Sequence, residues 1–555
     1  MREVAAPPAE AANLLDRAIE YVSPARALRR LQQRRALAMV GSFKGAARAR
    51  RGLQNFHPGG GSANADLIPD LPTLRERSRD LVRNAPLAKG AIDTVLTNVV
   101  GTGLKVRPSI DREVLGLDDE AADAWERAAE REWRLFAESE ECDYARTLTF
   151  DGFQDLAMRA TLESGDCLIY QRMLRRPGSP YDLKLQIIEA DRVSNPNRST
   201  DRRDLVAGVQ VDPATGAPVG YHVTDRHPGD MLFAAGALTW EFLPAFGPNS
   251  GLRQVLHLYD RLRPDQARGV PYLAAVIEPL KQLDRYGDAE LMAAVINACF
   301  AIVTETETGS PALSPLSTVP SASTAGASTD ALKRADIDFE AGLVIDGLRQ
   351  GESIKGFESG RPSTGFDPFV QAMLRQVGVG LGLPFEVLIK HFTASYSAAR
   401  AALLDAWRFF RGRRVWLARR LCQPTYEAWL TEAVARGRLD APGFFRDPLL
   451  RKAWCGSEWI GDSPGQIDPT KETDAAIAQV NAGLTTLERA TTELNGGDFE
   501  RNTVQRAKER RMRVDAGLEP AVIATPGAAA PPATPAEPPA DSQGTSDKPD
   551  QKDAA

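Results

Sequence analysis

The apolar positions of this chain change period several times, and each change marks a boundary. Over about 73–100 the run LRERSRDLVRNAPLAKGAIDTVLTNVV has helical spacing. It predicts two helices broken near Asn84-Ala85-Pro86, because the residue before a proline avoids the α region. Gly101 and Gly103 then supply a C-terminal stop. Residues 121–139 and 153–164 predict two further helices. Over 166–223 the period falls to two: Leu183, Leu185 and Ile187 alternate, then Val209 and Val211, then Val219, Tyr221 and Val223. The turn Asp212-Pro213-Ala214-Thr215-Gly216 makes the last two sets a hairpin. Residues 74 to about 260 therefore read as a mixed α+β unit.

From Glu278 the period is helical again. Leu280, Leu283, Gly287, Leu291, Val295, Ala298 and Ile302 recur on one stripe, while Lys281, Asp284, Arg285, Asp288 and Glu290 fall elsewhere on the wheel. Pro279 suits a first turn or a kink beside it. At the helical rise, 280–303 is a rod of roughly 36 Å, and its stripe needs a partner. Residues 309–330 are low in complexity and interrupt a short, acidic, strand-like region running to Glu358. A second helix follows over about 367–381 and closes in a hinge at Gly380, Gly382 and Pro384. A polar loop through Lys390 and His391 leads to a long helix from Ser397 towards Val434, kinked near Pro424, with Leu403, Trp407, Phe410, Leu417 and Leu421 as its buried stripe. A helical segment over 470–518 ends the ordered chain, since 521–555 is rich in Ala and Pro and predicts disorder.

Length adds that 555 residues exceed what one core usually organises, so about two to four packing units are expected. The 43% hydrophobic share is that of an ordinary soluble protein. A net charge of -6 argues against a protein whose main task is to grip nucleic acid, and leaves room for a weak, sliding contact. The charge is uneven: from Tyr21 to Ala65 there is no Asp or Glu against nine Arg and Lys. That stretch is either a solvated arm or one that meets a nucleic acid or an acidic partner. The five cysteines are far apart without a CxxC pair, which predicts buried free thiols in a reducing compartment. Residues 291–303 are the longest apolar run, contain Asn297 and are too short for a bilayer of about 30 Å, so no membrane partner is expected. No secretory leader is expected either, since the chain opens with Arg2 and Glu3.

No catalytic constellation assembles. Gly461-Asp462-Ser463-Pro464-Gly465 matches the nucleophile elbow of esterases, but Pro464 lacks the N–H that the oxyanion hole needs, and all five histidines precede Ser463. A surface turn is expected there. A packaging ATPase needs a phosphate loop ending in Gly-Lys, and the chain has no Gly-Lys dipeptide. Gly378-Val379-Gly380-Leu381-Gly382 closes a helix where a dinucleotide fingerprint would open one, so it reads as a hinge. His57, His222, His227, His257 and His391 are too scattered to suggest a metal site, and His222 reads as an outward-facing strand residue. The pairs Glu189 and Asp191, and Glu138 and Glu140, read as solvated faces. No catalytic residue, metal or cofactor is expected.

Several blocks, in order, resemble the portal proteins of lambda-like tailed bacteriophages. They are LRERSRDLVRNAPLAKGAIDTVLTNVVGTGLKVRP, ESGDCLIYQR, LQIIEADRVSNP, GVQVDPATGAPVGYHV, HLYDRLRPDQARGVPYLAAVIEPLKQLDRYGDAELMAAV, the run GRPSTGFDPFVQAMLRQVGVGLGLPFEVLIKHFTASYSAARAALLDAWRFF, and IDPTKETDA. The resemblance covers about 16–518 and implies a predominantly helical α+β portal fold assembling as a dodecameric ring. Its parts would be a basic arm (1–70), an α+β wing (71–260), a stem helix (261–303), a clip (304–360), a second stem helix (361–382), a tunnel loop (383–397), a long helix with wing return (398–469), a crown (470–520) and a tail (521–555). The insert at 309–330 and the tail depart from that pattern.

The resemblance further implies a non-enzymatic conduit for double-stranded DNA during packaging and ejection, at one vertex of the capsid in the virion and in host cytoplasm during assembly. Its partners would be further copies of itself, the terminase large subunit, major capsid and scaffold proteins, head-completion or adaptor proteins, and DNA held transiently and without sequence preference. The channel-loop residues would be Glu386, Lys390, His391, Thr393 and Ser395, led by Lys390 and His391. An ordinary solvated loop is the alternative. Arg408, Arg411, Arg413, Arg414, Arg419 and Arg420 spread over more than one helix face and read as partners for acidic groups within or between subunits rather than DNA contacts. For the whole chain, the alternative is a head or neck interaction protein that forms no channel.

Overall fold

The structure is a computed structural model that describes residues 52–298, 302–306, 352–356 and 365–518, apart from residues 54, 233–236, 249, 393–394 and 466–467, together with scattered positions over 21–29. Most of the basic arm, the insert at 309–330 and the tail at 521–555 lie outside the described residues.

Local chemistry sets the first helices. Ser62 opens α1 (Ala63–Leu67) by accepting the Ala65 N–H. Helix α2 (Leu71–Asn84) stops where the following proline holds Ala85 extended, at φ -105° and ψ 113°, and Pro86 starts α3 (Pro86–Val99). Gly101 and Gly103, with φ of 58° and 98°, turn the chain out of α3 as expected. β1 (Lys105–Pro108) and α4 (Arg112–Leu115) lead to α5 (Asp119–Ala137), which starts two residues before the predicted position because Asp118 caps it through the Ala121 N–H. α6 (Phe150–Ser164) likewise begins one turn early, at Phe150.

The strands are β2 (Asp166–Met173), β3 (Leu183–Glu189), β4 (Leu205–Val206), β5 (Val209–Val211), β6 (Pro218–Thr224), β7 (Trp240–Pro244) and β8 (Val255–Tyr259). They form two antiparallel sheets, ordered β3-β2-β8 and β4-β5-β6-β7. Ile169 stands opposite Ile187 on one side and Leu256 on the other. The period of two in β2 serves two cores at once. Cys167 and Ile169 pack with the helices, while Leu168 packs with Ile188, Val209, Tyr221, Val223 and Leu243 between the sheets. In the predicted hairpin Tyr221 and Val223 are buried, but Val219, near the turn, is left 46% exposed.

Helix α7 (Ile277–Ala298) follows, then β9 (Ile302–Thr306) paired antiparallel with β10 (Glu352–Gly356). The predicted stripe of α7 is only half covered. Leu280 and Leu283 are buried, yet Leu291 is 66% and Val295 49% exposed. Where α7 meets α8 (Phe366–Leu381), Tyr286 stacks on Phe366 with ring centroids 5.3 Å apart and meets Phe369 edge-on at 5.1 Å.

After the short α9 (Phe385–Ile389), the long helix runs as α10 (Tyr396–Leu417), a π-helical turn over Ala418–Cys422, and α11 (Gln423–Ala435). Near Pro424, where a kink was expected, the helix takes this π turn, which re-registers the ladder just before a residue that has no N–H to donate. Phe410, Leu417 and Leu421 are buried as predicted, but Leu403 is on the outer side of α10, 36% exposed. α12 (Pro448–Trp454) and β11 (Ser457–Ile460) then return to the N-terminal half, with Trp459 opposite Val106 of β1. There Trp133 is ringed by Phe150 at 5.2 Å, Trp429 at 5.2 Å, Tyr426 at 5.5 Å and Trp459 at 5.9 Å between centroids. The described chain ends in three helices, α13 (Pro469–Asn481), α14 (Leu487–Asn495) and α15 (Phe499–Asp515), none of which buries a residue.

Candidate functional site

The hinge is built by three glycines, each for a different steric reason. A Cβ on Gly378 would lie 2.7 Å from the Leu383 carbonyl oxygen, which accepts no such approach, and the Leu383 N–H instead reaches the Gly378 carbonyl at 2.9 Å. A Cβ on Gly380 would lie 2.7 Å from Val276 Cγ1, so this glycine lets the end of α8 pack close to the start of α7. Gly382 takes the left-handed conformation, φ 67°, that ends α8. The Tyr272 hydroxyl donates to the Leu381 carbonyl and fixes the corner from outside.

Pro384 then starts α9, so the stretch 383–397, which the resemblance implied to be the tunnel loop, holds a helical turn. Leu383, Val387 and Leu388 are buried, and α9 packs on α3 and α10. The helical spacing of Leu383, Val387 and Leu388 carried that signal. The Arg375 guanidinium lies 5.1 Å above the Phe385 ring and ties α8 to α9.

Only the end of the segment is free of the core. Lys390 adopts a left-handed conformation, φ 54° and ψ 36°, and its N–H closes α9 on the Glu386 carbonyl, joined by the His391 N–H at 3.1 Å. A lysine there costs about 1–2 kcal/mol of backbone strain relative to glycine. Lys390, His391 and Phe392 are exposed, and Glu386 is half-buried one turn earlier. Ser395 is exposed, with its hydroxyl 3.3 Å from that of Ser397, and Thr393 lies outside the described residues. The predicted cluster is thus an exposed lysine–histidine pair on a rigid buried base, with Glu386 behind it and Ser395 at the foot of α10.

Of the arginines of the long helix that were read as partners for acidic groups, one meets an acid within the described residues. Arg413 pairs with Asp260, and Arg414 donates to the carbonyls of Asn98 and Asp462 at 2.9 Å and of Val99 at 3.2 Å. Arg408, Arg411, Arg419 and Arg420 are exposed. At the esterase-like motif, the Asp462 carboxylate accepts the Thr102 N–H at 2.8 Å and hydroxyl at 2.7 Å, and so pins the turn to the end of α3.

Two clusters of titratable groups were not legible as such. Glu189, Asp191 and His227, remote from one another in sequence or read as solvated, bring their ligand atoms within 4.8 Å of one another. The Arg79 guanidinium already bridges both carboxylates, 3.2 Å from Glu189 and closer to Asp191, so a cation occupies that place in the fold.

The second cluster is Asp166, wholly buried at the start of β2. It accepts from Arg75 at 2.7 Å, Arg268 Nε at 2.6 Å, the Gly269 N–H at 3.3 Å, and lies 3.0 Å from His257 Nε2. Burial alone would raise its carboxyl, but the Arg268 and Arg75 guanidiniums and His257 hold it well below the usual carboxylate range. Burial pushes Arg75 down to about 10 and lowers His257 despite the hydrogen bond to Asp166. Arg268 spends its remaining donors on the carbonyls of Ala190, Val193 and Ala207. With every ligand position taken by protein, this network joins α2, both sheets and the 266–269 segment and has no opening for a substrate.

Comparison with known proteins bears on the same segments. A family model described as "Phage portal protein, lambda family" matches residues 49–414, which includes both sheets, the hinge and the Lys390 turn. Portal protein B of Escherichia phage lambda is 29% identical over 483 residues, covering 84% of this chain and 89% of that protein. The portal protein of Escherichia phage N15 is 28% identical over the same shares, and a probable portal protein of Halomonas phage phiHAP-1 is 25% identical over 77% of each chain. Among solved structures, the neck of a native GTA particle computed with C12 symmetry is similar at 15% identity and a TM-score of 0.39, over 77% of this chain and 94% of that one. The ordered blocks, the hinge they enclose and a family match across most of the chain agree: this chain belongs to the lambda family of phage portal proteins.

Proposed function

We propose that the protein assembles as a dodecameric ring at one vertex of a capsid and conducts double-stranded DNA inwards during packaging and outwards during ejection. The observation that carries this reading is the exposed Lys390-His391 turn, held on a buried helical base between α8 and α10 inside the family-matched region. A short cationic turn on a rigid support suits transient phosphate contact in a protein whose net charge of -6 keeps DNA from sticking. The ring is supported by α7, whose exposed Leu291, Met292 and Val295 lack cover among the described residues and suit a head-to-tail contact with the next copy.

In this reading the protein is a structural part and not a catalyst. The α+β region over 71–260 is the wing, 261–303 and 361–382 are the stem, 304–360 is the clip, 383–397 the tunnel loop and 470–520 the crown. The clip docks the terminase large subunit and later the head-completion proteins, while capsid and scaffold proteins meet the outer face.

Negative-stain electron microscopy of the purified protein, with particle mass from light scattering, tests the ring. Closed rings of the expected mass with an axial hole wide enough for a duplex support the reading; compact monomers that stay so with scaffold and head protein added overturn it. For the turn, Lys390→Ala is expected to lower packaged DNA and infectivity several-fold with ring assembly intact. Unchanged DNA content would remove the turn from the contact path.

A further inference from the structure

Helix α15 is tethered at its base and otherwise uncovered. It buries no residue, and positions 500–518 are exposed on every side. It meets α14, and an ion pair of Arg501 with Glu130 of α5 ties it to the body. Most helical stability in proteins comes from packing an apolar face, and this helix buries none.

Its charge makes this worse. From Arg501 to Arg513 the sequence RNTVQRAKERRMR has six bases and one acid, Glu509, in a chain of net charge -6. Glu509 accepts its hydrogen bond from Gln505 at 3.0 Å. Arg506, Lys508, Arg510, Arg511 and Arg513 form no ion pair among the described residues. Arg506 and Arg510 are four apart, and Arg510 and Arg513, like Lys508 and Arg511, three apart. Each such like-charged pair weakens a free helix by about 0.2–0.5 kcal/mol. This helix therefore gains from any surface that neutralises it.

The arrangement also selects a shape. At 3.6 residues per turn Arg506, Arg510 and Arg513 fall within about 60° of one another and span about 10 Å along the axis. That length faces about three successive phosphates of one strand of a duplex. We propose that this face of α15 docks on the phosphate backbone of double-stranded DNA without reading sequence, as a second contact separate from the Lys390 turn. The proposal rests on the reading that DNA lies alongside this protein. Repeated around a ring, the helices form a basic collar.

The test is fluorescence anisotropy of the full-length protein with a labelled duplex of random sequence, titrated from about 50 to 200 mM salt, with light scattering of every variant. The triple variant Arg506→Gln, Arg510→Gln, Arg513→Gln keeps good helix formers at each position and leaves the basic arm untouched. Its log affinity is expected to fall less steeply with log salt, by about 2.7 in slope for three phosphates, and its affinity at low salt to drop at least tenfold. The corresponding triple lysine variant should restore both. A triple glutamine variant with the wild-type slope and affinity, or a wild-type protein that does not bind the duplex, overturns the proposal. So does loss of wild-type assembly in that variant with DNA affinity unchanged, which would seat the face on a neighbouring copy instead. Rings that form normally with an unchanged slope would refute the collar alone, whereas a chain that never closes a ring refutes the portal reading itself.

Discussion

Asp166→Asn is the most demanding perturbation of this fold that changes almost no volume. The carboxylate is fully buried and holds two guanidiniums, of which Arg75 is 4% and Arg268 1% exposed. An asparagine keeps one acceptor oxygen and turns an NH2 towards a guanidinium donor. The two arginines are then left with one carbonyl-type acceptor where two charged oxygens took contacts at 2.6 to 3.2 Å. Removing one partner of such a buried set costs about 3–5 kcal/mol, a large part of the roughly 5–15 kcal/mol by which a domain is stable. Urea unfolding followed by tryptophan fluorescence reads this cost, since Trp133, Trp429 and Trp459 lie in the core that the network supports.

The pH dependence gives an independent check. The folded pKa of Asp166 is depressed, so its contribution is present above the ordinary carboxylate value and is lost as pH falls through the folded value. His257 is depressed too, and the neutral form it favours is likewise present at neutral pH and lost on acidification. Wild type should therefore lose stability on going to acid, and the Asp166→Asn variant should lose less because its carboxylate is already gone. Asp191→Asn, a partly exposed partner of Arg79, should cost at most about 1 kcal/mol. An Asp166→Asn variant within about 0.5 kcal/mol of wild type would refute the reasoning.

Two further outcomes follow from the geometry. Gly378→Ala brings a Cβ to 2.7 Å from the Leu383 carbonyl, which must shift; a loss of about 1–3 kcal/mol is expected in thermal melts, with faster proteolysis near the hinge, and an unchanged melt would mean that the corner has slack. Cys142, Cys167 and Cys455 are buried, and burial pushes each thiol up to about 12, with Cys422 raised well above its usual value. Alkylation mapped by mass spectrometry should leave these four unmodified in the native protein and modify them all after denaturation; labelling of any in the folded state would contradict their burial.

Much of this was legible in one dimension because the forces involved are local. Pro86 and Gly101 end helices through their own backbone geometry, and the Asp212–Gly216 turn makes a hairpin from its own backbone. The ordered blocks carried the family because their order and spacing can be read along the chain itself.

What only the tertiary structure decided was which face each residue meets. Leu403 and Val295 sit on helical stripes, yet they are 36% and 49% exposed, because the described chain covers them only in part. Val387 and Leu388 turned an expected loop into a buried helical base, because α3 passes beneath them. Asp166 looked like any strand-initial aspartate. Its role depends on Arg75, His257 and Arg268, between 91 and 102 residues away in sequence, and pairing across such distances is a property of the folded surface and not of any local pattern.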